Sequence, residues 1–266
     1  MIHEHFCCNR RSAAATSLRP AGLPHGLSTY CTSTPPVLQA PRAGLATRLS
    51  DFATNRHESY GLEVIRTFLA VELSQELRAE VALVQQELKG KIEPDMNRNR
   101  HISWVQPAKI HFTIKFLGDM DEQLLDPLLG VVEQALGSQP SMNVPLERLG
   151  AFPRPHSPRV LWVGPSEHWE RGTEAKRMVE IRGAIEQACE SLGFLREAKP
   201  FSPHLTLARI KTGGRHIGVA LATSGVLDQP LSVGSLAVES VVLIKSDLKP
   251  TGSVYTRLWE ARLKDF

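Results

Sequence analysis

Two short β-prone segments, far apart in the chain, carry the same pattern of side chains. His111-Phe-Thr-Ile114 and His204-Leu-Thr-Leu207 each alternate a polar residue with an apolar one. Because side chains at i and i+2 of a strand share a face, each histidine points the same way as its threonine, and the apolar residues point the opposite way. The pattern predicts two strands, each with a buried face and a face that presents an imidazole beside a hydroxyl.

A pair of imidazoles facing one cavity suits a reaction in which one proton is taken and another is given. The unperturbed pKa of histidine, about 6.5, lies close to neutral pH, so both protonation states are accessible. A single His-x-Thr on a strand is common and carries little information. Two copies, each on a strand-like run, favour a site formed jointly by His111 and His204.

The periodicity of apolar residues predicts an α+β fold, since strands and helices do not alternate strictly. Helical periodicity covers residues 75–88, 121–136 and 173–192, and strand-like runs cover residues 64–71, 102–105, 110–117, 142–152, 159–163, 204–210, 235–245 and 253–263. Gly90 is expected to end the first helix. The second helix starts at Asp121 or, because Pro127 favours a first turn, nearer Asp126. Residues 211–218 are predicted to form a Gly-rich, basic loop.

Five segments of the chain together carry a family resemblance. They are Arg66-Thr-Phe-Leu-Ala-Val71, His111-Phe-Thr-Ile-Lys-Phe-Leu-Gly118, Pro158-Arg-Val-Leu-Trp-Val-Gly164, Phe201-Ser-Pro-His-Leu-Thr-Leu-Ala-Arg209 and Tyr255-Thr-Arg-Leu-Trp259. In this order they resemble the two-histidine phosphoesterase superfamily and, within it, the RNA 2',3'-cyclic phosphodiesterases, also called 2'-5' RNA ligases. The resemblance implies two pseudo-symmetric lobes, each an antiparallel sheet with outer helices, and an active-site cleft between them.

The resemblance also implies a reaction and assigns roles in it. The expected activity is hydrolysis of RNA 2',3'-cyclic phosphate ends to 2'-phosphomonoesters, with His111 as proton donor, His204 as proton acceptor and 2'-5' ligation as a reverse reaction. From the residues alone, which histidine is the acid stays open. No metal or other cofactor is expected, because the motifs lack carboxylates or cysteines at ligand spacing and the chain has no Gly-rich phosphate loop for ATP.

Three further residues are expected to bind the phosphate. The hydroxyls of Thr113 and Thr206 stand on the same strand faces as the histidines and can donate to phosphate oxygens. The resemblance gives Arg209 the same task, although its odd spacing from His204 requires a bulge or a strand end. Lys115 shares a face with His111 in a regular strand, so it is either a second cation for the phosphate or a residue at the rim.

Other side chains have two open interpretations. Arg159 lies either near the substrate or in solvent, and His156 is read as an exposed loop residue. Phe201 and Trp104 either stack a base or belong to the core. Cys189, in a helical pattern, is predicted to be a small core residue.

The first 60 residues differ in composition from the rest. They contain six Arg, no Lys and three acidic residues, which leaves 25 basic and 25 acidic residues in the remainder. We expect a disordered or targeting extension over residues 1–60 and a phosphodiesterase domain over residues 61–266. The expected location is the cytoplasm, or an organelle if the extension is a transit peptide.

The formally neutral domain has no broad electrostatic footprint for long nucleic acid, so a few local cations must hold any phosphate. The expected partners are RNA ends with a 2',3'-cyclic phosphate, tRNA fragments among them, without a membrane and with the protein as a monomer. Two alternatives stay open: a phosphodiesterase acting on small cyclic phosphates or 2'-5' oligonucleotides, and a non-catalytic nucleotide- or RNA-binding module.

Overall fold

The structure, a computed structural model, describes residues 63–92, 102–250 and 252–264, all within one compact unit, Glu58–Phe266. The predicted extension over residues 1–60 lies outside the described residues. In the described part of the chain, no helix is long and apolar enough to cross a membrane.

The strands of the described residues are β1 Val64–Glu72, β2 Ile102–Trp104, β3 His111–Asp121, β4 Met142–Leu146, β5 Arg148–Phe152, β6 Val160–Gly164, β7 Leu205–Ile210, β8 Gly234–Val238, β9 Ser240–Lys249 and β10 Gly252–Arg262. The α-helices are α1 Gln75–Ile92, α2 Leu125–Leu136, α3 Glu167–Glu170, α4 Thr173–Glu190 and α5 Gly214–Ser224, with short 3-10 helices at Pro107–Lys109 and Glu122–Leu124.

The main sheet consists of two half-sheets that meet at one point. One contains β10, β9, β1 and β3, and the other contains β7, β6, β5 and β2. In the described residues its order is β10-β9-β1-β3-β7-β6-β5, with β2 beside β7, and every pairing is antiparallel. Strands β3 and β7 are registered through the single pair Phe112 and Leu205, both fully buried. A second, two-stranded sheet joins β4 to β8. The expected α+β, two-lobed architecture is confirmed.

Each half-sheet is covered by a helix from the other half of the chain. Helix α4, which follows β6, packs against α2 and β3. Helix α1, which follows β1, packs against α5, and its Gln85 side chain donates to the carbonyl oxygens of Val105 and Leu207 at 2.8 Å each. This exchange ties the two lobes into one apolar core, in which Cys189 is fully buried as predicted. Burial raises the pKa of the Cys189 thiol to about 12.

One expected helix boundary is wrong, and the structure decides between the two expected starts of another helix. The expectation that Gly90 ends α1 is wrong, because the helix continues to Ile92, which is buried four residues after the equally buried Leu88. Burial of Ile92 outweighs the roughly 1 kcal/mol that a glycine costs inside a helix. Helix α2 begins at Leu125, the later of the two expected starts, after a 3-10 turn that the Asp121 carboxylate caps at the backbone N–H of Gln123.

The predicted loop over residues 211–218 is wrong, because helix α5 begins inside it. The apolar Ile217 and Leu221, four residues apart, are both buried on one face of this helix. Gly218 allows the helix to lie directly on the loop that carries His156, since a Cβ at Gly218 would come within 2.3 Å of the His156 carbonyl oxygen. Glycine serves close packing here and does not mark a loop.

Candidate active site

A cavity of about 180 Å³ opens where the two half-sheets meet. It is lined by Val105, Lys109, Ile110, His111, Thr113, Phe116, Val160, His204, Thr206, Arg209 and Tyr255. All five residues that the sequence nominated are therefore at one site, although 93 positions separate the two histidines in the chain.

The pairing of β3 with β7 brings the two motifs together. Phe112 lies opposite Leu205 in antiparallel register, so His111 falls beside Thr206 across the strands, and Thr113 falls beside His204. Side chains on one face that are diagonal neighbours in such a pair stand about 7–8 Å apart at their backbones. Two imidazoles on backbones at this spacing, both lining one cavity, can flank a single phosphate group.

Each imidazole is oriented by a hydrogen bond to the backbone two residues earlier. Nδ1 of His111 lies 2.8 Å from the carbonyl oxygen of Lys109, and Nδ1 of His204 lies 2.7 Å from that of Ser202. A carbonyl oxygen only accepts, so Nδ1 carries the proton and donates it in both rings. Nε2 is then the nitrogen that can accept or release a proton in each histidine.

Aromatic rings surround both imidazoles. The ring of His111 lies 4.6 Å from that of Phe68 and 5.4 Å, edge-on, from that of Tyr255. The ring of His204 lies 5.1 Å from that of Phe152 and 6.3 Å from that of Trp162. These walls hold the imidazoles in place and remove water from around them.

Burial is the main influence on the pKa of both histidines. It lowers the pKa of His111, with further lowering by the charges of Arg209 and His204, against the opposing hydrogen bond to Lys109. Burial likewise lowers the pKa of His204, assisted by Arg209 and opposed by the hydrogen bond to Ser202. A bound phosphate anion would act in the other direction and favour the protonated form of an adjacent imidazole.

A bulge in β7 brings Arg209 to the cavity. Thr206 pairs with Trp162 and Ala208 pairs with Leu161, so Leu207 is an extra residue that reverses the alternation of faces. Arg209 then shares the face of Thr206 and lines the cavity. Its exposed guanidinium forms no ion pair with a carboxylate in the described residues, so it is available to an anionic ligand.

A second bulge, at the equivalent position of β3, removes Lys115 from the cavity. Thr113 pairs with Ala70 and Lys115 pairs with Leu69, so Ile114 is the extra residue. Lys115 is fully buried, and its Nζ lies 2.5 Å from a carboxylate oxygen of Glu186. The hypothesis that Lys115 is a second phosphate cation, or a rim residue, is therefore wrong.

Phe116 takes the position that Lys115 would have had. Its side chain is 58% exposed and lines the cavity, five residues after His111, as Arg209 is five residues after His204. Phe116 is absent from the predicted site residues because a bulge is expected in only one of the two motifs. The same bulge applied to both would have found it. Tyr255, which also lines the cavity, lay in a quoted motif but was not singled out.

The other candidates lie away from the cavity. Arg159 is exposed just before β6, and His156 is exposed in its loop, as predicted. Phe201 packs edge-on against Phe112 with ring centroids 6.0 Å apart, and the ring of Trp104 packs against the core beneath the ammonium group of Lys89. No three His, Cys, Asp or Glu side chains within the described ranges are grouped as metal ligands would be.

Comparison with known proteins places the chain in a family. The family model described as LigT like Phosphoesterase matches residues 71–162. A protein named RNA 2',3'-cyclic phosphodiesterase from Methanothermobacter thermautotrophicus is 33% identical over 199 residues, which are 75% of this chain and 99% of that protein. The protein of the same name from Thermus thermophilus is 32% identical, over 75% of this chain and 91% of its own length.

Solved structures share the fold. The crystal structure of TT0787 of Thermus thermophilus is similar with a TM-score of 0.56 and 28% identity, over 76% of this chain and 99% of that one. Apo Escherichia coli LigT has a TM-score of 0.57 at 22% identity, with the same coverage of both chains. This similarity shows a shared fold only. With a third of the aligned residues identical along nearly the whole length of a relative, this chain belongs to the LigT-like two-histidine phosphoesterases, in the family of the RNA 2',3'-cyclic phosphodiesterases.

Proposed function

We propose that this protein opens 2',3'-cyclic phosphates at RNA ends and yields 2'-phosphomonoesters. The observation that supports this most directly is the placement of His111 and His204 on one cavity, each with Nδ1 tied to a carbonyl oxygen. In such a pair, one Nε2 can accept a proton and the other can donate one, on opposite sides of the same cyclic phosphate.

The reaction follows from this arrangement. In our assignment His204 takes a proton from water as the water oxygen bonds to phosphorus. The bond between phosphorus and the ribose 3' oxygen breaks, and His111 gives its proton to that departing oxygen. If a ribose 5'-hydroxyl replaces water as the nucleophile, the same ring opening joins two RNA ends through a 2'-5' linkage.

Thr113, Thr206 and Arg209 are proposed to bind the phosphate. The two hydroxyls lie on the histidine face of β3 and β7 and can donate to the non-bridging oxygens. The guanidinium of Arg209 supplies the positive charge that complements the single negative charge of the cyclic diester.

The physiological substrate and state are also part of the proposal. We infer RNA ends, tRNA fragments among them, as substrates of a monomeric protein that needs no metal or ATP. We propose a cytoplasmic location, or an organellar one if residues 1–60, whose composition is Arg-rich and acid-poor, are a transit peptide.

One assay tests the activity and separates the alternatives. The full-length protein is incubated with a short RNA that ends in a 2',3'-cyclic phosphate, with EDTA and without ATP, and the products are resolved by chromatography. We expect a 2'-phosphomonoester. Turnover of nucleoside 2',3'-cyclic phosphates or 2'-5' oligonucleotides alone would favour the small-substrate alternative, and RNA binding without turnover would favour the binding module.

A further inference from the structure

Four charged side chains lie beneath the cavity, where the two half-sheets separate. Lys115 and Glu186 form the buried centre of this cluster, with Nζ and Oε2 2.5 Å apart. Nη2 of Arg182 lies 3.0 Å from Oε1 of Glu186 and 3.3 Å from Oε2 of Glu197. We call Lys115, Arg182, Glu186 and Glu197 the β3 clamp.

The β3 clamp bonds to the backbone of β3 at its bulge. Oε1 of Glu197 accepts from the backbone N–H of Phe116 at 2.9 Å, and Nε of Arg182 donates to the carbonyl oxygen of Ile114 at 3.4 Å. Because β3 is registered with β7 only at Phe112, these backbone groups face the gap between the half-sheets. The clamp supplies the hydrogen-bond partners that a neighbouring strand would otherwise provide.

The β3 clamp also reaches the segment that leads to the second histidine. The guanidinium carbon of Arg182 lies 5.0 Å from the ring centroid of Phe201, three residues before His204. Nζ of Lys115 donates to the carbonyl oxygen of Leu195 at 2.8 Å, in the loop between α4 and β7. The cluster therefore contacts both chain segments whose separation sets the distance between the two imidazoles.

Fold stability does not explain why these residues are charged. Removing ions from water is unfavourable, and a buried ion pair can often be replaced by apolar residues of similar volume without loss of stability. Apolar side chains cannot, however, bond to the backbone at Ile114, Phe116 and Leu195. We propose that the β3 clamp is a positioning element that sets the separation of His111 and His204. This inference rests on the proposed function.

The first test uses Glu197, whose side chain is one-third exposed, so that its replacement leaves no enclosed cavity in the core. In Glu197→Ala the Phe116 N–H loses its acceptor, whereas Glu197→Gln keeps an oxygen there. With the short RNA that ends in a 2',3'-cyclic phosphate as substrate, we expect kcat to fall about tenfold in the alanine variant, since small misplacements of catalytic groups cause large losses of rate. KM should change less than kcat, because two of the three proposed phosphate-binding residues, Thr206 and Arg209, lie on β7.

For the comparison variant Glu197→Gln, we expect a kcat within about twofold of the wild-type value. An alanine variant with wild-type kcat, or equal losses in both variants, would overturn the proposal, since neither follows from the loss of one backbone acceptor.

The second test removes the buried pair without leaving a lone charge. The double variant Lys115→Met/Glu186→Leu should keep a melting temperature near that of the wild type but lose at least about tenfold in kcat. The control is Glu190→Ala, which breaks the pair of Glu190 with Arg196, both more than half exposed, and should leave kcat unchanged. A folded double variant with full kcat overturns the inference, and if this variant does not fold, the Glu197 comparison decides alone.

Failure of the inference differs from failure of the proposed function. A wild-type protein that turns over no cyclic phosphate contradicts the function. An active wild-type protein whose kcat is insensitive to the β3 clamp contradicts only the positioning role.

Discussion

Phe112 of β3 lies directly opposite Leu205 of β7, and each of these buried residues follows a motif histidine by one position. The two imidazoles are thus placed by strand pairing in the core. The 3-10 helix that ends at Lys109 and the loop at Ser202 contribute the carbonyl oxygens that orient the rings. A site that depends on backbone register should respond sharply to its own side chains and to small changes in the strands around it.

Replacing either His111 or His204 by alanine should lower kcat at least about 100-fold, because proton transfer by a positioned side chain contributes about 10²- to 10⁴-fold to a rate. The measurement is turnover of the cyclic-phosphate RNA, with circular dichroism to verify the fold. His156→Ala is the matched control, since this exposed imidazole is outside the cavity. Turnover at the wild-type rate in either variant would remove that histidine from the mechanism.

The threonine hydroxyls should contribute through hydrogen bonds to a charged ligand. Thr206→Val keeps the side-chain shape but loses the donor, and we expect kcat/KM to fall about 10- to 100-fold, the equivalent of the roughly 1.5–3 kcal/mol of such a bond. The same applies to Thr113→Val. Serine at either position keeps the hydroxyl and should restore most of the activity, so equal losses with serine and valine would point to packing instead.

The pH dependence of kcat/KM should be bell-shaped and displaced toward acid. Activity falls on the acidic side as the base, His204, gains a proton, and on the alkaline side as the acid, His111, loses one. Because burial lowers the pKa of both, the maximum should lie below the ordinary imidazole value of 6.5.

Arg209→Ala should move this profile toward alkaline pH. The positive charge of Arg209 lowers the pKa of both histidines, so its removal raises both values, whereas Arg209→Lys keeps the charge and the profile. Activity falls in both variants if Arg209 binds the phosphate. The measurement is therefore the pH at which kcat/KM falls on the acidic and on the alkaline side of the profile. A profile that stays in place or moves toward acid would contradict the electrostatic assignment.

Breaking the buried pair from one side should destabilise the fold. Lys115→Ala leaves the buried Glu186 carboxylate with Arg182 as its remaining partner, and we expect a loss of about 3 kcal/mol in the free energy of unfolding, the lower end for a broken buried pair. Urea titration measures it, and thermal unfolding should show a midpoint lower by roughly 10 °C. Arg196→Ala, at an exposed pair, should change the free energy by less than about 1 kcal/mol.

Gly164→Ala should disturb the segment that leads to His204. A Cβ at Gly164 would lie 2.7 Å from the carbonyl oxygen of Pro203, a rigid backbone atom next to the histidine. We expect a lower melting temperature together with a lower kcat. Gly183→Ala, on helix α4 with nothing near its Cβ, is the control and should be neutral or stabilising by up to about 1 kcal/mol. A Gly164→Ala protein with unchanged kcat would mean that the backbone at Pro203 can shift without displacing His204.

Much of the fold and the core of the site could be predicted from local patterns. The strand pattern in β1, β3 and β7 and the helical period of α4 gave the correct element types, and the two His-x-Thr faces, with the family resemblance for Arg209, gave five of the residues that line the cavity. The element types and the two faces depend on a regular alternation of side chains that a single segment displays by itself.

The errors occurred where tertiary contacts override a local pattern. Lys115 points into the core because the bulge at Ile114 changes which residues face the cavity, and no local composition signals that bulge. The glycines at the start of α5 predict a loop, whereas Gly218 is needed where the helix meets the His156 loop. Gly90 predicts a helix end, but the helix continues because Ile92, two residues later, is buried in the core.

The paired bulges also identify the positions at which this enzyme can be redesigned. A combinatorial library aimed at substrate choice should randomise Phe116 and Arg209, since both side chains border the ligand space. Randomising Lys115 and Ala208, one residue earlier in each strand, would diversify buried positions and mainly return proteins that fold poorly.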